Sequence, residues 1–147
     1  MTSWRQTASA QTQSDLDGLV SSALDFAQQQ LTKHGEFYPF GLVVDLDAAT
    51  RIIDITTNDA HPRSHAVIER CREMITGQRA AIRASAVCAD VQIKTAGTDA
   101  IQVELEHADG IALIIVLPYT KRRRNKIDYG QLGASTGEHR IWSPPNR

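Results

Sequence analysis

From Leu16 to Leu31 the apolar positions Leu16, Leu19, Val20, Ala23, Leu24, Ala27 and Leu31 recur at the spacing that gathers one face of an α-helix. Ser14 stands where an N-cap belongs, and Asp15 and Asp17 fall in the first turn, where the helix dipole favours anions. Gly35 and Pro39 end the run, because glycine suits the left-handed position after a helix and proline cannot continue one. The period then changes to two. Phe40, Leu42, Val44 and Leu46 alternate with Gly41, Val43 and Asp45, which predicts a well-covered strand. Asp47-Ala48-Ala49-Thr50 supplies a turn, and Arg51 to Thr57 returns as the hairpin partner.

Asn58 or Asp59 offers a cap for a second helix, with Pro62 near its first turn. Its buried stripe reads Val67, Ile68, Cys71, Met74, Ile75 and Ile82, which predicts one continuous helix to about Arg83. Gly77 interrupts that stripe at a cost of roughly 1 kcal/mol against alanine, so a kink belongs there if anywhere. Three alternating runs follow, Val87 to Ile93, Ile101 to Leu105 and Ile111 to Tyr119, joined by the turns TAGTD and ADG. The predicted order is α-β-β-α-β-β-β: an α+β domain over residues 14–119, with an antiparallel five-stranded sheet and two main helices. A flexible arm (1–13) precedes it and a tail (120–147) follows.

If the last hairpin turns at Ala108 to Gly110, Leu105 faces Leu113, Val103 faces Ile115 and Ile101 faces Leu117, one wholly apolar face. The other face is mixed. It sets Glu106 beside Ala112, Glu104 beside Ile114 and Gln102 beside Val116, and Asp90 of the preceding strand is expected to extend its acidic row. Unpaired buried carboxylates cost several kcal/mol and exposed aliphatic patches mark contacts, so this face needs a cover. Candidates are a helix, the tail with Tyr119, Ile141 and Trp142, a partner protein, or a second copy of the chain. Asp90, Gln102, Glu104, Glu106, Ile114 and Val116 are therefore the expected binding face. Phe37, Tyr38 and Phe40, with Pro39 fixing the backbone among them, are expected to anchor the first helix to the sheet, at least two of the three mostly buried.

Charge sharpens this picture. The 147 residues carry a net charge of only −1, yet residues 1–119 hold 9 Lys+Arg against 15 Asp+Glu while residues 120–147 hold 7 against 2. An acidic body thus carries a basic tail, whose block Lys121, Arg122, Arg123, Arg124 and Lys126 suits an anionic partner or the acidic row itself. Nucleic acid is a weaker expectation, since aromatic-studded basic strands and a recognition helix are missing. No run approaches the ~20 apolar residues of a membrane span, and the first fifteen residues lack the apolar core of a secretory signal, so the chain reads as cytoplasmic. Cys71 and Cys88 lack metal-ligand spacing and read as buried reduced thiols.

Candidate chemistry is sparse. His61 and His65 stand four apart but have no third ligand, and His107 flanks a turn. Asp45, Asp47 and Asp54 lack the central glycine and distal glutamate of a calcium loop. Glu104 and Glu106 share a face without a nucleophile beside them, and no glycine-rich phosphate loop or nucleophile elbow is present. No metal or cofactor is expected.

The stretches LTKHGEFYPFG…VDLD (Leu31 to Asp47) and DAIQVELEHADGIAL…LPY (Asp99 to Tyr119) resemble a group of uncharacterised bacterial proteins, mainly actinobacterial, over roughly residues 15–120. The element order, with VVDLD leading into a hairpin after the first helix, is similar to the Roadblock and profilin-like class. That resemblance implies a dimerising or regulatory module without catalytic residues. The turn Asp47-Ala48-Ala49-Thr50 departs from the glycine-rich turn usual in the Roadblock hairpin. The leading expectation is a non-enzymatic protein-interaction module that dimerises through the mixed face. The alternatives are an immunity-type inhibitor of a basic toxin or nuclease, which the acidic row would suit, and a small enzyme of unrecognised class.

Overall fold

The long helix starts earlier than its apolar stripe. In the computed structural model, which describes residues 4–53, 64–95, 97–123 and 126–142, a short helix α1 (Trp4–Thr7) leads into α2 (Ala10–His34). Ser9, not Ser14, is the N-cap: its side chain accepts from the Thr12 amide, and Gln11, Thr12 and Gln13 extend the helix backwards with polar residues that carry no apolar period. The segment expected as an arm therefore holds α1 and the first turn of α2. Gly35 closes α2 at φ 75°, its amide donating to the Leu31 carbonyl as a left-handed C-terminal glycine does.

The strands are β1 (Phe40–Asp45), β2 (Thr50–Ile53), β3 (Ile82–Ile93), β4 (Thr98–His107), β5 (Ile111–Arg123), β6 (Lys126–Tyr129) and β7 (Gly133–Thr136). They form one antiparallel sheet in the order β2-β1-β3-β4-β5-β6, with β7 also paired to β5. The α+β class stands, but the sheet has seven strands where five were expected. The two extra strands come from the segment expected as a tail: β5 continues past Tyr119, and β6 and β7 lie end to end along its outer edge. Tyr119 pairs with Tyr129 and Val116 with Gly133, so the outer chain carries one residue more than β5 over this interval. It is a β-bulge, with Gln131 and Leu132 standing opposite Leu117.

The second long helix, α3 (Ser64–Gly77), ends at Gly77 instead of running to Arg83. A 3-10 turn (Arg79–Ala81) follows, and Ile82 already opens β3. The β1–β3 pairing explains why Ile82 matched the helical stripe: Val44 pairs with Ala84 but Asp45 with Ile82, so Arg83 is an extra residue that flips the alternation. Ile82 is thereby turned to the side of α3, where it packs with Val67, Cys71 and Ile75, and Arg83 is sent to the side of α2. The proposed caps Asn58 and Asp59, together with Asp54, His61 and Pro62, lie outside the described residues.

The two faces of the sheet are filled differently. On one, Leu16, Leu19, Ala23, Ala27 and Leu31 of α2 pack on Phe40, Leu42, Val44, Ala84, Ala86, Cys88, Ile101, Val103, Leu105, Leu113, Ile115, Leu117 and Tyr119. The β4–β5 register is the expected one, with Leu105, Val103 and Ile101 opposite Leu113, Ile115 and Leu117. On the other, α3 covers Val43, Ile53, Ile82 and Val87, and Ile141 completes that cluster. Of the aromatic anchor, Phe40 is buried and makes edge contacts with Phe26 and Phe37, at ring-centroid distances of 4.8 and 5.9 Å. Phe37 is half-buried, while Tyr38, expected to join them, is 53% exposed because Pro39 takes the inward position between them. No helix among the described residues is long and apolar enough to cross a membrane.

Candidate functional site

The expected binding face separates into three parts. Asp90 is not on it: Asp90 pairs with Ile101, which pairs with Leu117, so its side chain belongs to the α2 face. There Asp90 Oδ1 accepts a 2.6 Å hydrogen bond from the Tyr119 hydroxyl. Burial raises the Asp90 carboxyl above its ordinary value, against the opposing Tyr119 hydrogen bond. Tyr119, expected as part of a cover for the mixed face, lies with Asp90 on the opposite side.

The acidic part is closed from within the chain. Arg72 of α3 reaches across and donates to both Glu104 oxygens at 3.1 and 2.7 Å, while Arg140 approaches Glu104 at 3.4 Å. The Arg72 guanidinium is held above its usual pKa chiefly by that hydrogen bond, with burial opposing. Glu106, only 3% exposed, accepts from three successive backbone amides, those of Arg140, Ile141 and Trp142, at 2.6 to 3.1 Å. A carboxylate meeting consecutive N–H groups in this way satisfies charge and backbone together. The strap from 137 to 142 is pinned again by Gly137 N to Ala112 O at 2.9 Å and by Arg79 Nη1 to Ile141 O at 3.3 Å. A Cβ on Gly137 would meet the Leu113 backbone at 3.0 Å, so only glycine lets the strap lie this close.

What remains is the aliphatic part. Gln102, Ile114, Val116 and Pro118 are half-buried, as is Val91 beside Ala100. Gly133 and Ser135 of the fully exposed β7 continue this strip past Val116 and Ile114. The helix over this face, α3, packs on β1, β2 and β3 and leaves the strip open.

The basic block is structured strand where it is described. Lys121, Arg122 and Arg123 end β5 and Lys126 opens β6, all exposed, while Arg124 lies outside the described residues. Arg122 pairs with Asp128. Lys121, Arg122 and Arg123 border a groove of about 610 Å³ with Lys33, His34, Gly35, Leu31 and Ile127. The Lys121 ammonium reaches the C-terminal end of α2, 3.7 Å from where a Gly35 Cβ would stand. A second hollow, about 650 Å³, lies between α3 and the strap, with Glu69, Glu73, Glu138 and Arg140 on its walls.

A further polar cluster escaped sequence reasoning. Asp15, 8% exposed, receives both arms of Arg83 at 2.9 and 2.8 Å and lies 2.9 Å from His107 Nε2. The Asp109 amide donates to His107 Nδ1 at 3.1 Å, which leaves Nε2 to donate to Asp15. Asp109 Oδ2 in turn accepts from Thr12 at 2.5 Å. Burial works to raise the Asp15 carboxyl, but the hydrogen bonds from Arg83 and His107 outweigh it and hold the group below its ordinary value. Because both ring nitrogens of buried His107 are engaged, the cluster serves as a clamp between α2, β3 and the β4–β5 turn. A signal for it existed in the sequence only as the proximity of Asp15 to a helix start and of His107 to a turn.

Cys71 and Cys88 are buried and unbonded, and burial pushes the Cys71 thiol up to about 11 and raises that of Cys88 further. Such thiols are poor nucleophiles at neutral pH. His65 is exposed in the first turn of α3, and no metal-binding group of His, Cys, Asp and Glu occurs among the described residues.

Comparison with protein-family models, with curated proteins and with solved structures finds no match to this chain.

Proposed function

We propose that the protein is a non-enzymatic interaction module that self-associates through the open strip of Val91, Gln102, Ile114, Val116 and Pro118. The observation that carries this reading is the division of the α3 face: its carboxylates are engaged inside the chain, while its aliphatic half is left half-exposed beside small, uncharged β7 residues. A strip without charge meets its own copy without repulsion, and a two-fold axis brings the same strip together from both subunits. Gly133 and Ser135 beside the strip raise no bulky side chain against an approaching sheet.

The acidic row to which the basic block was matched already has partners, so the contact is mainly apolar. Sedimentation velocity over a range of concentrations tests the reading. The expected result is a concentration-dependent dimer that persists at high salt and dissociates in Ile114→Lys and Val116→Lys. A chain that stays monomeric throughout, or a dimer indifferent to both substitutions, overturns it.

A further inference from the structure

Separate from the strip, we propose that the groove between the C-terminal end of α2 and the β5–β6 hairpin binds an acidic, apolar-studded extended segment of a partner protein. Lys33, His34, Lys121, Arg122 and Arg123 converge on it, and only Arg122 has a carboxylate partner within ion-pair distance there, Asp128. Among the described residues, no salt bridge engages Lys33, Lys121 or Arg123. Concave basic surfaces focus their potential and draw in anionic partners.

The groove is not uniformly polar. Leu31 and Ile127 contribute apolar walls, and Tyr129, 37% exposed, stands two residues from Ile127 on the same face of β6. An anion recognised by charge alone has no use for these groups, whereas a peptide alternating acidic and aliphatic residues matches both components at once. Ile127 brings β6, the last strand on the sheet path, to the groove wall, so an extended segment has room to lie between α2 and the end of the sheet. Gly35 sets the geometry: its φ of 75° lets α2 stop short at the edge of the groove.

The test is fluorescence anisotropy with a labelled peptide of alternating glutamate and leucine, at low and at high salt, with a single-stranded oligonucleotide of equal length as competitor. Expected are binding at low salt that weakens as salt rises, and a loss of about tenfold or more in the double variant Lys33→Glu, Lys121→Glu. Both positions are exposed, so thermal melting of the variant should match the parent. Ile114→Lys, on the other face, should bind the peptide as the parent does, which keeps this result independent of self-association. Failure to bind, equal binding by the double variant, or displacement of the peptide by the oligonucleotide at lower concentration overturns the proposal; the last would assign the groove to nucleic acid.

Discussion

The two faces of one sheet solve the burial problem in different ways. Under α2 the middle of the sheet, from Phe40 through Val103 to Leu117, is apolar and is covered by the helix stripe, while the polar groups Arg83, His107 and Asp90 stand at the strand ends. Under α3 the same strands present Ser85, Glu104 and Glu106 among aliphatic neighbours, and cover is assembled from a helix, two arginines and a strap that arrives from residues 137–142. The first face is a core in the ordinary sense. The second is a polar joint that stays dry only while its hydrogen bonds are kept, and it covers less of the sheet because α3 does not reach β5. The face with carboxylates in its middle is therefore also the one left with surface to spare.

Substitutions can sharpen this contrast. The largest loss belongs to the α2 face: Phe40→Ala removes a buried ring that touches Phe26 and Phe37, and should cost about 3–5 kcal/mol in a denaturant titration. A cost below about 1 kcal/mol would mean that this face tolerates cavities as a polar joint does not. Next, Glu106→Ala should cost about 2–3 kcal/mol by leaving three strap amides unpaired. Its signature is local: amide hydrogen exchange should accelerate at 140–142 while the β4–β5 ladder stays protected. Uniform acceleration across both faces would erase the distinction between core and joint.

The smallest of these effects is tied to pH. The Asp15 carboxyl sits below its unfolded-state value, so its contribution is complete above the ordinary carboxylate range and is lost as pH falls through the lowered folded-state value. Asp15→Asn should cost about 1–2 kcal/mol at neutral pH and flatten the acid limb of the stability curve. A variant whose acid limb keeps the parent's slope would show that other carboxylates set it. Asp90 works in the opposite sense: its raised value means the ionised group costs stability at neutral pH and the fold gains as pH falls through that value, so Asp90→Asn, which keeps an oxygen for the Tyr119 hydroxyl, should raise neutral stability slightly and remove that gain.

The sequence was most legible where a single local rule governs. The stripe of α2 and the β4–β5 register follow from periodicity and from one turn, in which Gly110 takes a φ of 96°. The aliphatic members of the binding face were read from that register, and Ile114 and Val116 lie beside Glu104 and Gln102 as it requires. Legibility failed where one extra residue changes the phase, as at Arg83, which placed Ile82 in a helix on paper and in a strand in the molecule. It failed again for Asp90, because alternation within a strand does not say which of its two faces aligns with the acids of the next. Of the covers the sequence offered, the tail with Ile141 and Trp142 is the one that lies over Glu106, but the bonding itself was not legible, because its partners are backbone amides, which every residue but proline owns. The strand β7, Gly-Ala-Ser-Thr, pairs through its backbone and carries no apolar signal at all.

The bulge at Gln131 and Leu132 bears on what the outer edge of the sheet offers to other chains. A straight outer strand from Lys126 to Thr136 would offer a long unbroken row of backbone donors and acceptors, a template on which neighbouring chains stack into fibrils. Two residues opposite Leu117 throw that row out of phase midway, so neither half is long enough to seed growth by itself. Removing one of them would restore the phase, and the penalty would appear as turbidity on storage in a chain that still folds.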